Sequence, residues 1–189
     1  PGLDAEIYWM TRGDNDRKEM TRQIQKFERE YKSLVEKYYN KYLAKYGRIS
    51  IDDIFGLIST ESKMNPFAVS GYGAASLTQL MHFVVEKRIN ECGGGKLFIT
   101  ENIKKARKTG DKNYYREYAK ELKSLKAKYP QSDLAKHYAA FDPEKNICIG
   151  IRHIKFLLDK YPKDNNDTIL LKYNTNSNWV DYISSEAGT

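Results

Sequence analysis

Long apolar runs are missing from this chain of 189 residues. Nothing in it approaches the roughly 20 consecutive apolar residues of a membrane-spanning helix, so no transmembrane segment is expected. No charged–apolar–small leader is present either; because the chain starts at Pro1 rather than Met, that lack says nothing about compartment. Cysteine is scarce. Cys92 and Cys148 show neither CxxC nor Cys/His metal spacing; they are read as buried free thiols, with a disulfide between them as the second reading. His82, His137 and His153 have no metal or triad spacing and are read as surface or groove residues. Gly93-Gly94-Gly95 lacks the Lys-Ser/Thr of a phosphate loop and reads as a hinge or turn. The acidic stretch at 164–167 lacks the glycine and closing glutamate of a calcium loop. No metal and no cofactor are therefore expected. Alternation with a strand's period of two is also missing, as is any internal repeat, which leaves a mainly α class.

What the chain does have is charge. Charged residues make up 30% and hydrophobic residues 40%, with a net charge of +7. That balance suits a polar-surfaced folded protein. It also suits an anionic partner: nucleic acid, a membrane surface or an acidic polymer.

Helical periodicity organises the chain. Met20, Ile24, Phe27, Tyr31, Leu34, Tyr38 and Tyr42 recur at steps of three and four, a stripe that predicts a long helix begun near Asp14–Asp16 and closed by Gly47. Residues 1–47 are read as an N-terminal helical extension packing on a core domain of residues 48–189. A second helix has an explicit start: Ser50 at N-cap, Asp53 at N3, and Ile49 with Ile54 as a hydrophobic staple. It must end before Pro66. Residues 65–75 are loop, and Leu77, Leu80, Met81, Val84 and Val85 predict a third helix from about Ser76 to the glycines at 93–95. The segment 96–136, rich in Lys, Arg, Glu and Tyr, looks like an inserted helical unit; its mixed charges read as a solvated face and not as a nucleic-acid interface. Asp142 and Pro143 start a further helix at N-cap and N1, with Ile147, Ile151, Ile154 and Leu158 on its stripe. The C-terminal segment reads as two short helices about an Asn-rich turn.

One residue breaks its own pattern. Ile54, Leu57 or Ile58, and Glu61 fall at i, i+3/i+4 and i+7, so Glu61 stands on the buried face of the second helix. Burial in apolar surroundings raises a carboxyl pKa because the charged form loses its hydration. A raised pKa suits a proton donor near neutral pH; the plain alternative is a salt-bridged or helix-terminal Glu reaching solvent. Asp53 lies eight residues earlier, roughly 12 Å away along a helix, so no second acid sits near in sequence. Glu86 and Asp181 stay open as acids the fold could bring in.

The residues around Glu61 resemble those of the soluble lytic transglycosylases. Glu61-Ser62, then Asn65-Pro66, Ala68, Ser70, Gly73-Ala74, Leu77, Gln79 and Leu80-Met81 are similar to that family's Glu-Ser, "NPxAxS" and "GAxGLMQLMP" segments. Asp142, Pro143, Asn146, Ile147, Gly150, Leu157 and Leu158 are similar to its "DPxxNIxxGxxYLxxLL" helix; Tyr173, Asn174, Val180 and Tyr182 are similar to its "AYNAGxxxVxxY" segment. The chain departs from the pattern at Ser76, Thr78, His82 and Asn176, which stand where the family has Gly, Met, Pro and Gly, and in the long stretch between Met81 and Asn146. The resemblance implies a lysozyme-like α fold related to goose-type lysozyme, with a groove for peptidoglycan strands. It implies Glu61 as the single catalytic acid/base. Ser70, Gln79 and Tyr173 would bind substrate or hold the acid; Ser62, Met81, Asn146 and Asn174 would shape the groove. It further implies a periplasmic, cell-envelope or phage-associated setting, with 96–136 available to an envelope-machine partner. A hydrolytic muramidase and a non-catalytic wall-binding module are the alternatives.

Overall fold

The computed structural model describes residues 14–174, which form a mainly helical chain. The aromatic stripe winds into α1 (Asp14–Tyr42), 29 residues and roughly 43 Å long. Phe27, Val35 and Tyr42 are buried on it. After a 3-10 turn over Ala44–Tyr46, Gly47 takes a left-handed φ of 62° and turns the chain.

Local chemistry starts α2 (Ile51–Ser62) as the sequence predicts. Ser50 Oγ accepts from Asp53 N at 3.1 Å, and the Asp53 carboxylate accepts from Ser50 N at 2.9 Å. These two bonds satisfy amide donors that the first helical turn leaves orphaned. Ile49 and Ile54 are both buried on either side of the box.

The next helices are α3 (His82–Arg88), α4 (Glu101–Thr109), α5 (Lys112–Lys128) and α6 (Gln131–His137). Then come α7 (Pro143–Lys160) and α8 (Asn166–Asn174). α7 is the centre of the fold. Asp142 caps it, accepting from Lys145 N at 2.9 Å, and Pro143 fills its first turn. Ile147, Ile149, Ile151, Ile154, Leu157 and Leu158 bury nearly all its faces, and it packs on α1, α3 and α8. That is the signature of a core helix. Polar ties fix α1 to it: Tyr38 Oη and Lys37 Nζ meet Glu144 at 2.8 and 3.0 Å, and Arg152 lies over the Tyr42 ring at 4.6 Å. The α4–α5–α6 segment adds Ile103, Tyr115, Tyr118, Leu122 and Leu134 to the same hydrophobic cluster.

Three sequence expectations need correction. Cys92 and Cys148 form a disulfide; 56 residues separate them, and only the approach of α7 to the 3-10 turn Ile89–Cys92 brings them together. The third helix starts at His82, not Ser76, because Ser76 and Gln79 hold left-handed φ values of 68° and 50° that no α-helix accommodates. Leu77 and Leu80 are buried all the same; a folded loop satisfies the apolar spacing that suggested a helix. His82 and His153, read as surface or groove residues, are buried. The C-terminal segment contributes one helix, α8, and the second expected there, with Val180, Asp181 and Tyr182, lies outside the described residues. No described helix is long and apolar enough to cross a membrane.

Candidate active site

Glu61 stands one residue before the end of α2. Ile54, Leu57 and Ile58 on the preceding turns are buried, so the carboxyl is half-buried at the end of an apolar stripe. Burial is the one cause that acts on it, pushing its pKa up to about 7. Among the described residues no cation and no hydrogen-bond donor pairs with it, and no neighbouring acid perturbs it. Glu86 is not a second acid here. It meets Arg107 at 2.7 Å and His82 at 3.4 Å; burial works against its ionisation, and those partners outweigh burial and hold it below the usual range.

The chain then turns sharply. Lys63 and Met64 follow with φ of 52° and 61°, and the Asn65 side chain accepts from Phe67 N at 2.9 Å. Residues 68–80 fold back on themselves. Ser76 N donates to Ala68 O at 2.8 Å, Ser70 N to Ala74 O at 2.9 Å, and Ala75 and Leu80 exchange two bonds of 3.0 Å. Lys63, Met64, Ser76 and Gln79 are the non-glycine residues at positive φ among those described. All four lie between Glu61 and Leu80. Such conformations cost about 1–3 kcal/mol each and collect at functional sites.

Two long-range anchors hold this loop. Asn146, fully buried on α7, accepts from Thr78 N at 2.9 Å and Thr78 Oγ1 at 2.8 Å. Its amide donates to Ala75 O at 3.2 Å and Ala140 O at 3.0 Å. One turn on, Gly150 lets Thr78 touch the helix; a Cβ there would stand 2.6 Å from Thr78 Oγ1. The second anchor is Tyr173 on α8, whose hydroxyl donates to Thr78 O at 2.7 Å. Burial lifts the Tyr173 phenol far above the usual tyrosine range, and the charge of Glu61 lifts it further. Behind it lies His153, 5.3 Å from the Tyr173 ring centroid, held neutral with a pKa lowered to about 3 by burial and then by Arg88.

The structure therefore ties Tyr173 through Thr78 to the loop that follows Glu61 and carries Gln79. Gln79 Nε2 donates to Ser76 O at 2.9 Å and Ala68 O at 3.2 Å, so the side chain braces its own turn. Ser70 is on the same loop; its Oγ accepts from Ala74 N at 2.9 Å and Tyr72 N at 3.4 Å, which leaves its O–H without an acceptor among the described residues. Ser62, Met81 and Asn146 support the site from below. Ser62 Oγ donates to Ile58 O at 3.0 Å, Met81 is the buried N-cap residue of α3, and Asn146 is the clamp. Asn174 ends α8, and nothing is described of its side chain.

Thr78 and His153 are the site residues that sequence periodicity misses. A signal for Thr78 is available in Gly150: glycine inside an otherwise aliphatic helix weakens it and marks a close approach of another chain segment. His153 has no such signal. No family model, no curated protein and no solved structure matches the chain.

Proposed function

We propose that this protein is a peptidoglycan lytic transglycosylase with a lysozyme-like fold and Glu61 as its single acid/base. The observation that carries the reading is the Glu61 carboxyl itself: half-buried at the end of an apolar helix face, unpaired among the described residues, with a pKa near 7. The motif resemblance supplies the substrate, the β-1,4 bond between N-acetylmuramic acid and N-acetylglucosamine.

A carboxyl with that pKa is substantially protonated at neutral pH and donates to the glycosidic oxygen as the bond breaks. Glycosidases working by two carboxylates hold them roughly 5–9.5 Å apart; with Glu61 as the single acid, a substrate group serves as nucleophile. The 2-acetamido carbonyl attacks C1, Glu61 now accepts the proton of the 6-hydroxyl, and that oxygen displaces the acetamido group to leave a 1,6-anhydro end. In this reading the free O–H of Ser70 and the amide oxygen of Gln79 hold the acetamido group, and Tyr173 holds the loop through Thr78. A hydrolytic muramidase would differ only in using water for the last step.

The disulfide suits an oxidising compartment, in keeping with an extracytoplasmic enzyme. The test is release of soluble muropeptides from purified murein. Wild type releases them, and Glu61→Gln with an unchanged circular dichroism spectrum releases none; equal release by both overturns the proposal, and no release by either points to a wall-binding module.

A further inference from the structure

Residues 96–136 hold 12 of the 32 Lys and Arg and 5 of the 25 Asp and Glu. This segment alone thus carries a net +7, and the rest of the chain is balanced. The charge is not evenly spread on it. Lys112, Arg116, Lys120 and Lys123 recur along α5 at steps of four, four and three, which places them on one stripe of the helix. All four are exposed. Lys120 meets Glu117 at 2.8 Å, whereas Lys112 and Lys123 meet no acid among the described residues.

The stripe is joined to the loop that follows Glu61. Arg116 Nη2 donates to Tyr72 Oη at 3.1 Å, with the guanidinium 5.4 Å from the Tyr72 ring centroid. Tyr72 is two residues from Ser70. Beside it, Gly73 packs so closely on α5 that a Cβ would stand 2.8 Å from Tyr118 Cδ1. The hydrogen bond and charge of Arg116, then the charge of Lys112, hold the Tyr72 phenol below the usual tyrosine range. The cations of α5 therefore act on the loop that carries the candidate substrate residues.

We infer that the Lys112–Arg116–Lys120–Lys123 stripe, with Tyr72 at its edge, binds the carboxylates of the stem peptide on the same peptidoglycan strand that enters the Glu61 site. This rests on the function proposed above. Two features select this occupant. The stripe spans 12 residues, roughly 16 Å of helix from first to last, and an extended peptide of about five residues spans roughly 17 Å. It also starts at the loop of the candidate site, so its ligand belongs on the strand being cut and not on a separate polymer. The stem peptide would then set which muramic acid residues the enzyme accepts: those bearing a peptide over those stripped of one.

The test uses the full chain carrying Glu61→Gln, so that strands are bound and not cut. Fluorescent glycan strands are compared with the same strands stripped of peptide by an amidase, and with short polyphosphate. Lys112→Glu/Lys120→Glu/Lys123→Glu should weaken binding of peptide-bearing strands about tenfold or more, because three exposed cations change sign, and leave stripped strands unaffected. Lys112→Gln/Lys120→Gln/Lys123→Gln should give a smaller loss in the same direction. Equal effects on both kinds of strand, no effect on either, or a loss confined to polyphosphate overturns this inference alone. A parent protein that binds no strand at all overturns it together with the proposed function.

Discussion

Glu61 ties the local physics of one side chain to a pH dependence. Its pKa is raised from 4.5 to about 7 by burial, so between those values the folded state binds more protons than the unfolded one. Stability then falls as pH rises from about 4.5 to 7 and is level beyond. Glu61→Gln removes the cost of burying the anion, so it should stabilise the protein by on the order of 2 kcal/mol at pH 8 and little at pH 4.5. Urea unfolding at the two pH values measures this; an equal effect at both would contradict the burial of the charge. Ser76 offers a second residue-level check. It sits at φ 68° with a fully buried hydroxyl that finds no partner among the described residues. A left-handed φ costs roughly 1–2 kcal/mol and an unbonded buried hydroxyl about 1–3 kcal/mol, against about 0.5–1 kcal/mol for the added freedom of glycine. Ser76→Gly should therefore raise stability by about 1 kcal/mol, seen as a higher urea midpoint; a lower midpoint would mean the Ser76 hydroxyl has a role in the fold.

At the scale of elements, α7 and the 68–80 loop behave as one unit. The helix presents Asn146 and, one turn on, Gly150, and between them they receive Thr78. A methyl at Gly150 meets Thr78 atoms at 2.6 and 2.8 Å. Gly150→Ala should cost about 1–3 kcal/mol by overpacking, and it should impair murein cleavage more than the loss of folded protein explains, because Thr78 is also the acceptor for Tyr173. Activity per folded molecule, with the folded fraction read by circular dichroism, checks this; unimpaired specific activity would uncouple the loop from the site. These elements also show what a sequence can reveal. The starts of α2 and α7 are legible because their caps lie within four residues: Ser50 with Asp53, and Asp142 with Pro143 and Lys145. The start of α3 is not, because Leu77 and Leu80 have helical spacing whether a helix or a tight turn buries them. The Glu61 stripe is legible from periodicity alone, whereas the Thr78–Asn146 clamp spans 68 residues and leaves only Gly150 as its trace.

For the whole molecule, the Cys92–Cys148 bond closes a loop of 56 residues around α4 to α6 and the start of α7. Loop-closure entropy assigns such a cross-link about 4 kcal/mol. Cys92→Ala/Cys148→Ala should lose on the order of 2–4 kcal/mol in denaturant unfolding; an unchanged midpoint would show the bond to be dispensable. Sequence spacing cannot reveal this pair, because no local motif joins residues that meet only when α7 closes the core. Glu61 stands just before a loop of left-handed turns, and whether its carboxyl cleaves murein is the central question. Mass spectrometry of fragments released from purified sacculi is the most direct test. A transglycosylase acting through Glu61 gives 1,6-anhydro-muramic ends from the wild type and no fragments from Glu61→Gln; reducing muramic ends alone, or the same fragments from both proteins, would contradict it.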